Sequence, residues 1–218
     1  MMKTNKSGFS LIEMLVVIGI IAVLSGALVV GMDRVRKTAQ KSKAQEIVSN
    51  TATALGVIFQ TEMGWPQLLL NYSGRQLEAT PSHVFVRFNL LGLAYNSKQY
   101  DRSTRKGIIQ LMGADRCGIV DPWAAAVLKR KQASSENADI GEKVPTGGTI
   151  RDHILWFAVD DDGDGITEVN IPGSPPIKVR APACVWGAGA DGKLGAYGKR
   201  DKAAADDVYS WARGQEEK

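Results

Sequence analysis

The stretch GFSLIEMLVVIGIIAVL, residues 8–24, decides how this chain is built, because it is mostly apolar and carries a single charged residue, Glu13. From Phe9 to Val30 the only ionisable residue is Glu13. A helix of about 22 residues extends roughly 33 Å, which is enough to cross a bilayer. The sequence therefore predicts a membrane-spanning helix. It also raises a question about Glu13, because a carboxylate left in lipid costs roughly 3 kcal/mol.

A secretory signal peptide is the alternative interpretation of this run. Such a peptide has a shorter apolar core that ends in a small-residue cleavage site, whereas this run continues past the small residues at 25–27. Basic residues flank it on both sides, with Lys3 and Lys6 before it and Arg34 and Arg36 after it. The distribution of positive charge therefore leaves the orientation in the membrane open.

The leader KTNKSG followed by FSLIEMLVVIGIIAVL resembles the amino-terminal signature of type IV pilins and of the pseudopilins of type II secretion. That signature is a short basic leader ending in Gly, then an aromatic residue, a polar or small residue, and Leu-Ile-Glu. The resemblance implies that a membrane aspartyl prepilin peptidase cleaves between Gly8 and Phe9 and methylates the new amine. It also implies that Glu13 pairs with the Phe9 amine of a neighbouring subunit, since a charge in lipid is tolerated when an opposite charge meets it on assembly. A glutamate that snorkels to the membrane interface is the alternative.

The helical pattern continues beyond the apolar run. Residues that recur at three- and four-residue spacing define one buried face: Ala44, Ile47, Val48, Thr51, Leu55, Ile58 and Phe59. Gly64 and Pro66 then end the helix. The pattern predicts one helix from about residue 9 to about residue 63.

The pilin resemblance implies an α+β fold in which this long helix packs on a small antiparallel β-sheet. We divide the chain into a leader peptide at 1–8, the transmembrane half of the helix at 9–31, and a globular domain at 32–218.

The middle of the chain contains fewer motifs. Asp121-Pro122-Trp123 resembles the start of a D-P-W-G segment that leads into the sheet of pseudopilins, with Ala124 in place of Gly. Residues 129–148 are polar and without period, which predicts an exposed loop. Residues 153–159, HILWFAV, read as a buried strand, and residues 83–91 as a strand or a short helix.

An acidic stretch, VDDDGDGITEV, lies at residues 159–169. Asp160, Asp162 and Asp164 occupy alternate positions before Gly165, as in the first half of an EF-hand loop that binds calcium. The twelfth position of such a loop is Ile171 here and not a glutamate. We therefore keep these three residues as weaker metal candidates.

The alternative for this stretch is a hairpin without metal. Residues 159 and 166–169 read as strands joined by a Gly-rich turn.

The segment VWGAGADGKLGAYGKRDKAAADDVYSW, residues 185–211, resembles the carboxy-terminal signature of the major type II pseudopilin. In that family this loop binds calcium through the Asp of A-D-G, through later Asp side chains and through backbone carbonyls. The resemblance implies that Asp191, Asp206 and Asp207 are ligands, with Asp201 a weaker candidate. Only oxygen ligands are present, which suits calcium. An acidic loop without metal is the alternative.

Cys117 and Cys184 are the only cysteines. In an oxidising compartment they form either one disulfide or two free buried thiols. His83 and His153 show no partner pattern and are expected to be structural. We found no nucleophile–base pattern, phosphate loop or pair of catalytic carboxylates, so the sequence does not predict an enzyme.

These features together predict a filament subunit of a type II secretion pseudopilus. The expected partners are prepilin peptidase, other pilin or pseudopilin subunits including copies of this chain, and an inner-membrane assembly platform. The net charge of +4 is scattered and does not predict nucleic-acid binding. The expected location is the bacterial inner membrane, crossed once, with the globular domain in the periplasm. A type IV pilus subunit, a DNA-uptake (competence) pilin and a membrane-tethered calcium-binding module remain alternatives.

Overall fold

A computed structural model describes residues 11–79, 109–111, 117–134, 139–197 and 203–211. The chain forms two compact units, Met1–Ala39 and Gln40–Lys218. The interpretation of residues 83–91, and that of His83, falls outside the described residues.

The first helix, α1, spans Leu11–Thr61. Its carboxyl end agrees with the prediction, because Met63 takes a left-handed φ of 54° and Pro66 follows soon after. The amide of Gly64 donates to the carbonyl of Phe59 and closes the last turn.

The part of α1 in the first unit exposes its apolar side chains. Many large apolar side chains between Leu11 and Leu24 are exposed. Their exposed fractions run from 45% at Val17 to 85% at Leu11. Within the described ranges, no helix is both long and apolar enough to cross a membrane, so the span predicted at 9–31 is not confirmed.

The part of α1 in the second unit buries one face, as the spacing predicts. The buried side chains are Ala44, Val48, Thr51, Ala54, Leu55 and Ile58, with Ile47 partly buried against them. The predicted face is therefore confirmed, with Phe59 half-exposed at its end.

The remaining elements are short. They are α2 (Gln67–Leu70), β1 (Arg75–Gln76), β2 (Glu78–Ala79), β3 (Ile109–Leu111), β4 (Cys117–Ile119), α3 (Pro122–Ala133), β5 (Trp156–Val159), β6 (Thr167–Val169), β7 (Ile177–Val179), β8 (Ala183–Gly187) and β9 (Val208–Tyr209). Two 3₁₀ turns, Ile150–His153 and Ala203–Ala205, precede β5 and β9.

The described strands pair only in the antiparallel sense, which confirms the α+β class. The largest sheet has the order β1-β5-β8-β9, a second has the order β2-β4-β3, and β6 pairs with β7. The hairpin interpretation of residues 159–169 is therefore wrong in its pairing. Strands flank the acidic loop as predicted, but β5 pairs with β1 and β8, while β6 pairs with β7.

Both faces of the largest sheet are covered. In β8, Ala183 and Val185 belong to the main core with α1 and α3, whereas Cys184 and Trp186 belong to a second core under β6 and β7. Successive strand side chains point to opposite faces, so a strand buried on both faces is apolar throughout. In β5, Phe157 belongs to the main core and Ala158 to the second core. The buried strand predicted at 153–159 is therefore confirmed over Trp156–Val159, whereas His153 ends a 3₁₀ turn.

The exposed loop predicted at 129–148 is partly wrong. Helix α3 continues to Ala133, and beyond it Ile140 and Val144 are buried. The segment that begins at Asp121 therefore leads into a helix and not directly into a sheet. The local reason is a side-chain cap by Asp121 followed by Pro122 at the first helical position, where proline is well tolerated.

Candidate functional site

The carboxy-terminal acidic residues lie between two paired strands. Strands β8 and β9 are antiparallel neighbours, with Trp186 opposite Tyr209 and Gly187 opposite Val208. The chain that leaves β8 therefore returns to the same end of the sheet before β9. This topology places Asp191 on the outgoing arm, and Asp206 and Asp207 on the returning arm.

One oxygen of Asp206 closes this loop. Its Oδ2 accepts the backbone N–H of Ala190 at 2.6 Å and that of Asp191 at 3.1 Å. Its Oδ1 is buried and has no hydrogen-bond partner among the described residues. A buried carboxylate oxygen left in this state is costly unless another ligand completes it.

Asp207 repeats this arrangement. Its Oδ2 accepts the backbone N–H of Gly195 and the hydroxyl of Tyr209, each at 3.0 Å, while its Oδ1 is buried and unpaired within the described part of the chain. Burial raises the pKa of Asp207 to about 7, and the charges of Asp206 and Asp191 add to this effect, against the two hydrogen bonds, which lower it. The carboxylate group thus sits where a cation would stabilise its charged form.

Glycines allow the two arms to approach. Gly189 has a φ of 66°, and a Cβ atom there would lie 2.5 Å from the carbonyl oxygen of Asp206. A Cβ atom at Gly195 would overlap the backbone of Ala204. The arms therefore touch backbone to backbone, which any larger residue at these two positions prevents.

Asp191 is half-buried, and its Oδ1 accepts the N–H of Lys193 at 2.8 Å. Asp201, the weaker candidate, lies outside the described residues. Among the described residues, Asp191, Asp206 and Asp207 do not form a group whose ligand oxygens all lie within 4.8 Å of one another. The structure thus places all three in one loop, but leaves them wider apart than a closed set of metal ligands.

The other acidic loop, between β5 and β6, is more compact. One oxygen from each of Asp160, Asp162 and Asp164 lies within 4.8 Å of the others, the only such group in the described part of the chain. The two oxygens of Asp160 accept the N–H groups of Gly163 and Gly165, each at 2.8 Å. These carboxylates therefore already stabilise the turn itself, and Asp162 and Asp164 are exposed. We give more weight to the buried, unpaired oxygens of Asp206 and Asp207.

Sequence reasoning missed a buried pair. His153 Nδ1 lies 2.6 Å from Asp121 Oδ2, and both side chains are almost fully buried. The sequence shows no partner pattern for His153, but the fold supplies this partner, and a buried paired ring agrees with the structural role expected for it. No spacing signal could reveal this pair, because 32 residues separate its members.

The other candidate residues are placed as follows. Glu13 is exposed in the first turn of α1, whereas Gly8 and Phe9 lie outside the described residues. Cys184 is a free thiol buried in the second core, whereas the side chain of Cys117 lies outside the described residues. Burial raises the pKa of Cys184 to about 12, which makes it an unreactive core residue.

Comparison with known proteins identifies the amino terminus. A family model of the prokaryotic N-terminal methylation motif matches residues 3–29. This segment is therefore like that of type IV pilins and pseudopilins. No curated protein and no solved structure gives a significant match. The motif implies that this pilin-like protein is processed by prepilin peptidase and assembles with other pilin subunits.

Proposed function

We propose that this pilin-like protein is a structural, non-enzymatic subunit of a type II secretion pseudopilus. Prepilin peptidase cleaves it after Gly8, residues 9–31 anchor it in the inner membrane, and it assembles on the platform into a periplasmic filament that drives protein export. The methylation motif at residues 3–29 supports the pilin-like part of this proposal.

The observation that carries the choice of a pseudopilus is the loop between β8 and β9. Its sequence resembles the carboxy-terminal signature of the major type II pseudopilin. Two of the three implied ligands, Asp206 and Asp207, each have one buried oxygen that finds no hydrogen-bond partner within the described ranges. A filament of the pilus class shares the amino-terminal motif, so only this loop favours export.

Calcium fits the chemistry of the loop. Calcium takes six to eight oxygen ligands, and residues 188–207 contain no His or Cys that would favour a softer metal. We propose that Asp206 Oδ1 and Asp207 Oδ1, together with Asp191 and backbone carbonyls, hold the ion. When bound, the ion supplies positive charge that offsets the repulsion among three carboxylates and joins the two arms of the loop.

The exposed apolar face of α1 also fits a subunit that assembles. Leu11 and Ile12, for example, are 85% and 70% exposed in the isolated chain. Exposing such an apolar surface to water is unfavourable. Lipid before assembly and neighbouring helices after assembly would cover it. Glu13, in the first turn, would then meet the Phe9 amine of a neighbour.

A deletion strain tests the proposed function. Without this chain, we expect exported proteins to accumulate in the periplasm and to disappear from the culture medium, and the wild-type gene should restore export. Lys129→Gln, at an exposed position of α3, serves as the matched control and should restore it equally. Normal export combined with loss of surface pili or of DNA uptake would reject the secretion assignment in favour of a pilus or a competence filament.

A further inference from the structure

The buried pair of Asp121 and His153 joins three parts of the second unit. Asp121 Oδ1 caps α3 by accepting the N–H groups of Trp123 at 3.0 Å and Ala124 at 3.1 Å. Its Oδ2 contacts His153 Nδ1, and His153 Nε2 lies 2.8 Å from the carbonyl oxygen of Gly147. One imidazole ring therefore links the start of α3 to the loop at residues 141–149.

Both ring nitrogens of His153 need a partner of fixed type. A carbonyl oxygen only accepts, so Nε2 must carry a proton and donate it to Gly147. The Nδ1 side then shares a proton with Asp121, either as an imidazolium–carboxylate pair or as a neutral ring facing a protonated acid. Burial acts to lower the pKa of His153, but the hydrogen bond and charge of Asp121 outweigh it and leave this pKa above its ordinary 6.5.

The segment held by His153 is the one on which the carboxy-terminal loop rests. A Cβ atom at Gly147 would lie 2.5 Å from the carbonyl oxygen of Asp191. A Cβ atom at Gly192 would lie 3.1 Å from both the Cα atom of Gly148 and Nε2 of His153. The backbone at 147–148 and the backbone at 191–192 are therefore in direct contact, with the imidazole at their edge.

A second contact fixes the same segment from the other side. Asp152 Oδ2 accepts both the N–H of Thr149 at 2.7 Å and its hydroxyl at 2.8 Å. Residues 147–149 are thus held by His153 at one end and by Asp152 at the other. Such double support is typical of a segment that positions a site.

We propose that His153, oriented by Asp121, is a positioning residue for the carboxy-terminal loop. By holding the carbonyl of Gly147, it keeps residues 147–148 in place against Asp191 and Gly192, and this contact sets where the Asp191 carboxylate lies relative to Asp206 and Asp207. The role of this contact in metal binding rests on the calcium site proposed above, whereas its role in ordering the loop does not.

Two substitutions separate the two bonds of the ring. His153→Gln places an amide near the position of Nε2 and keeps a donor for Gly147 while losing the bond to Asp121. His153→Asn places its amide near the position of Nδ1 and keeps a donor for Asp121 while losing Gly147. Val127→Ala, a core truncation in α3, is the matched control because it lowers stability by creating a cavity and removes none of the hydrogen bonds of His153.

The experiment uses the full chain in detergent and measures hydrogen exchange at the amides of Ala190, Asp191 and Gly195, which bond to the Asp206 and Asp207 carboxylates. Exchange is followed in chelator and in calcium, and calcium affinity is obtained by titration. We expect His153→Asn to speed exchange at these amides and to weaken calcium binding by roughly tenfold each. His153→Gln should keep exchange rates and a calcium affinity close to those of wild type, although it lowers the melting temperature.

Equal exchange in His153→Asn and wild type would overturn the proposal, and so would an equal change in Val127→Ala, since that would indicate a general loss of stability. Gly147→Ala perturbs the same contact through its new Cβ atom and provides the same comparison should His153→Asn not fold. A wild-type chain that does not respond to calcium would reject the calcium site. The exchange comparison in chelator would then decide the positioning role by itself.

Discussion

The carboxylate of Asp206 accepts the backbone N–H of Ala190 over 2.6 Å, although 16 residues separate them. This bond directly joins the two arms of the loop between β8 and β9. Because it uses only Oδ2, the other oxygen of Asp206 stays buried and, in the part of the chain that the structure describes, has no hydrogen-bond partner. Oδ2 of Asp206 thus closes the loop, while Oδ1 is an acceptor that a cation can bind.

Processing at Gly8 is the first prediction. The mature protein should begin at Phe9, and the new amine should carry a methyl group, because the leader and the Leu-Ile-Glu motif match a prepilin peptidase substrate. Mass spectrometry of the protein from its native membrane measures both. A mature protein that begins at Met1, or at a site after Ala27, would contradict the pilin-like processing.

Glu13 is predicted to act in assembly and not in insertion. Glu13→Ala should insert into the membrane at least as well as wild type, because it removes a charge whose presence in lipid costs roughly 3 kcal/mol. It should fail to form filaments, since the Phe9 amine of the neighbour then lacks its counter-charge. Membrane fractionation and electron microscopy measure these two properties. Filaments of normal length and number from this variant would show that the pairing is dispensable.

Calcium is predicted to raise the melting temperature of the full chain in detergent. An ion that binds only the folded state stabilises it by about 2.7 kcal/mol at a hundredfold excess over its dissociation constant. Asp191→Ala and Asp207→Asn should abolish the difference between calcium and chelator. Asp162→Ala, in the other acidic loop, is the matched control and should keep the difference. If Asp162→Ala alone removed it, the metal site would lie in the loop between β5 and β6.

The stability of the metal-free protein should fall as the pH rises. The pKa of Asp207 is raised from an ordinary 3.8 to about 7, so between these values the folded state holds a proton that the unfolded state has lost. This contribution is fully present below pH 3.8 and is lost as the pH rises through 7. Melting temperatures in chelator between about pH 4 and about pH 8 measure this fall, because it is expected between the ordinary pKa of 3.8 and the raised pKa of about 7.

The control for this pH profile is Asp207→Asn, which cannot titrate. The melting temperature of this variant should fall less steeply with rising pH than that of wild type. A part of the fall should remain, because the raised pKa of His153 acts in the same direction: the stability that the ring gains from Asp121 is also lost as the pH rises through that pKa. Identical slopes in both proteins would show that Asp207 does not titrate in this range.

The sequence by itself determined the long helix and the amino-terminal motif. The three- and four-residue spacing from Ala44 to Ile58 identified the buried face, and Gly64 and Pro66 marked the end of α1 within a few residues. Residues 3–29 carry the methylation motif as a contiguous string. These features are local: each depends on neighbours within about one or two helical turns, so the order of residues is enough to reveal them. The cap at Asp121 is also local: an Asp-Pro pair before Trp123 and Ala124 indicates the start of α3, a helix that was not predicted from the sequence.

Only the tertiary structure decided which distant residues meet. The pairing of β5 with β8, and not with β6, follows from the packing of both sheet faces, and periodicity within one strand carries no information about its partner. The pair of Asp121 and His153, and the contact between Gly147 and Asp191, likewise join residues 32 and 44 positions apart. Acidic residues in a sequence do not reveal which of their oxygens will be left buried and unpaired. That depends on where β8 and β9 bring the two arms together, because hydrogen-bond partners are set by distance in space and not by distance along the chain.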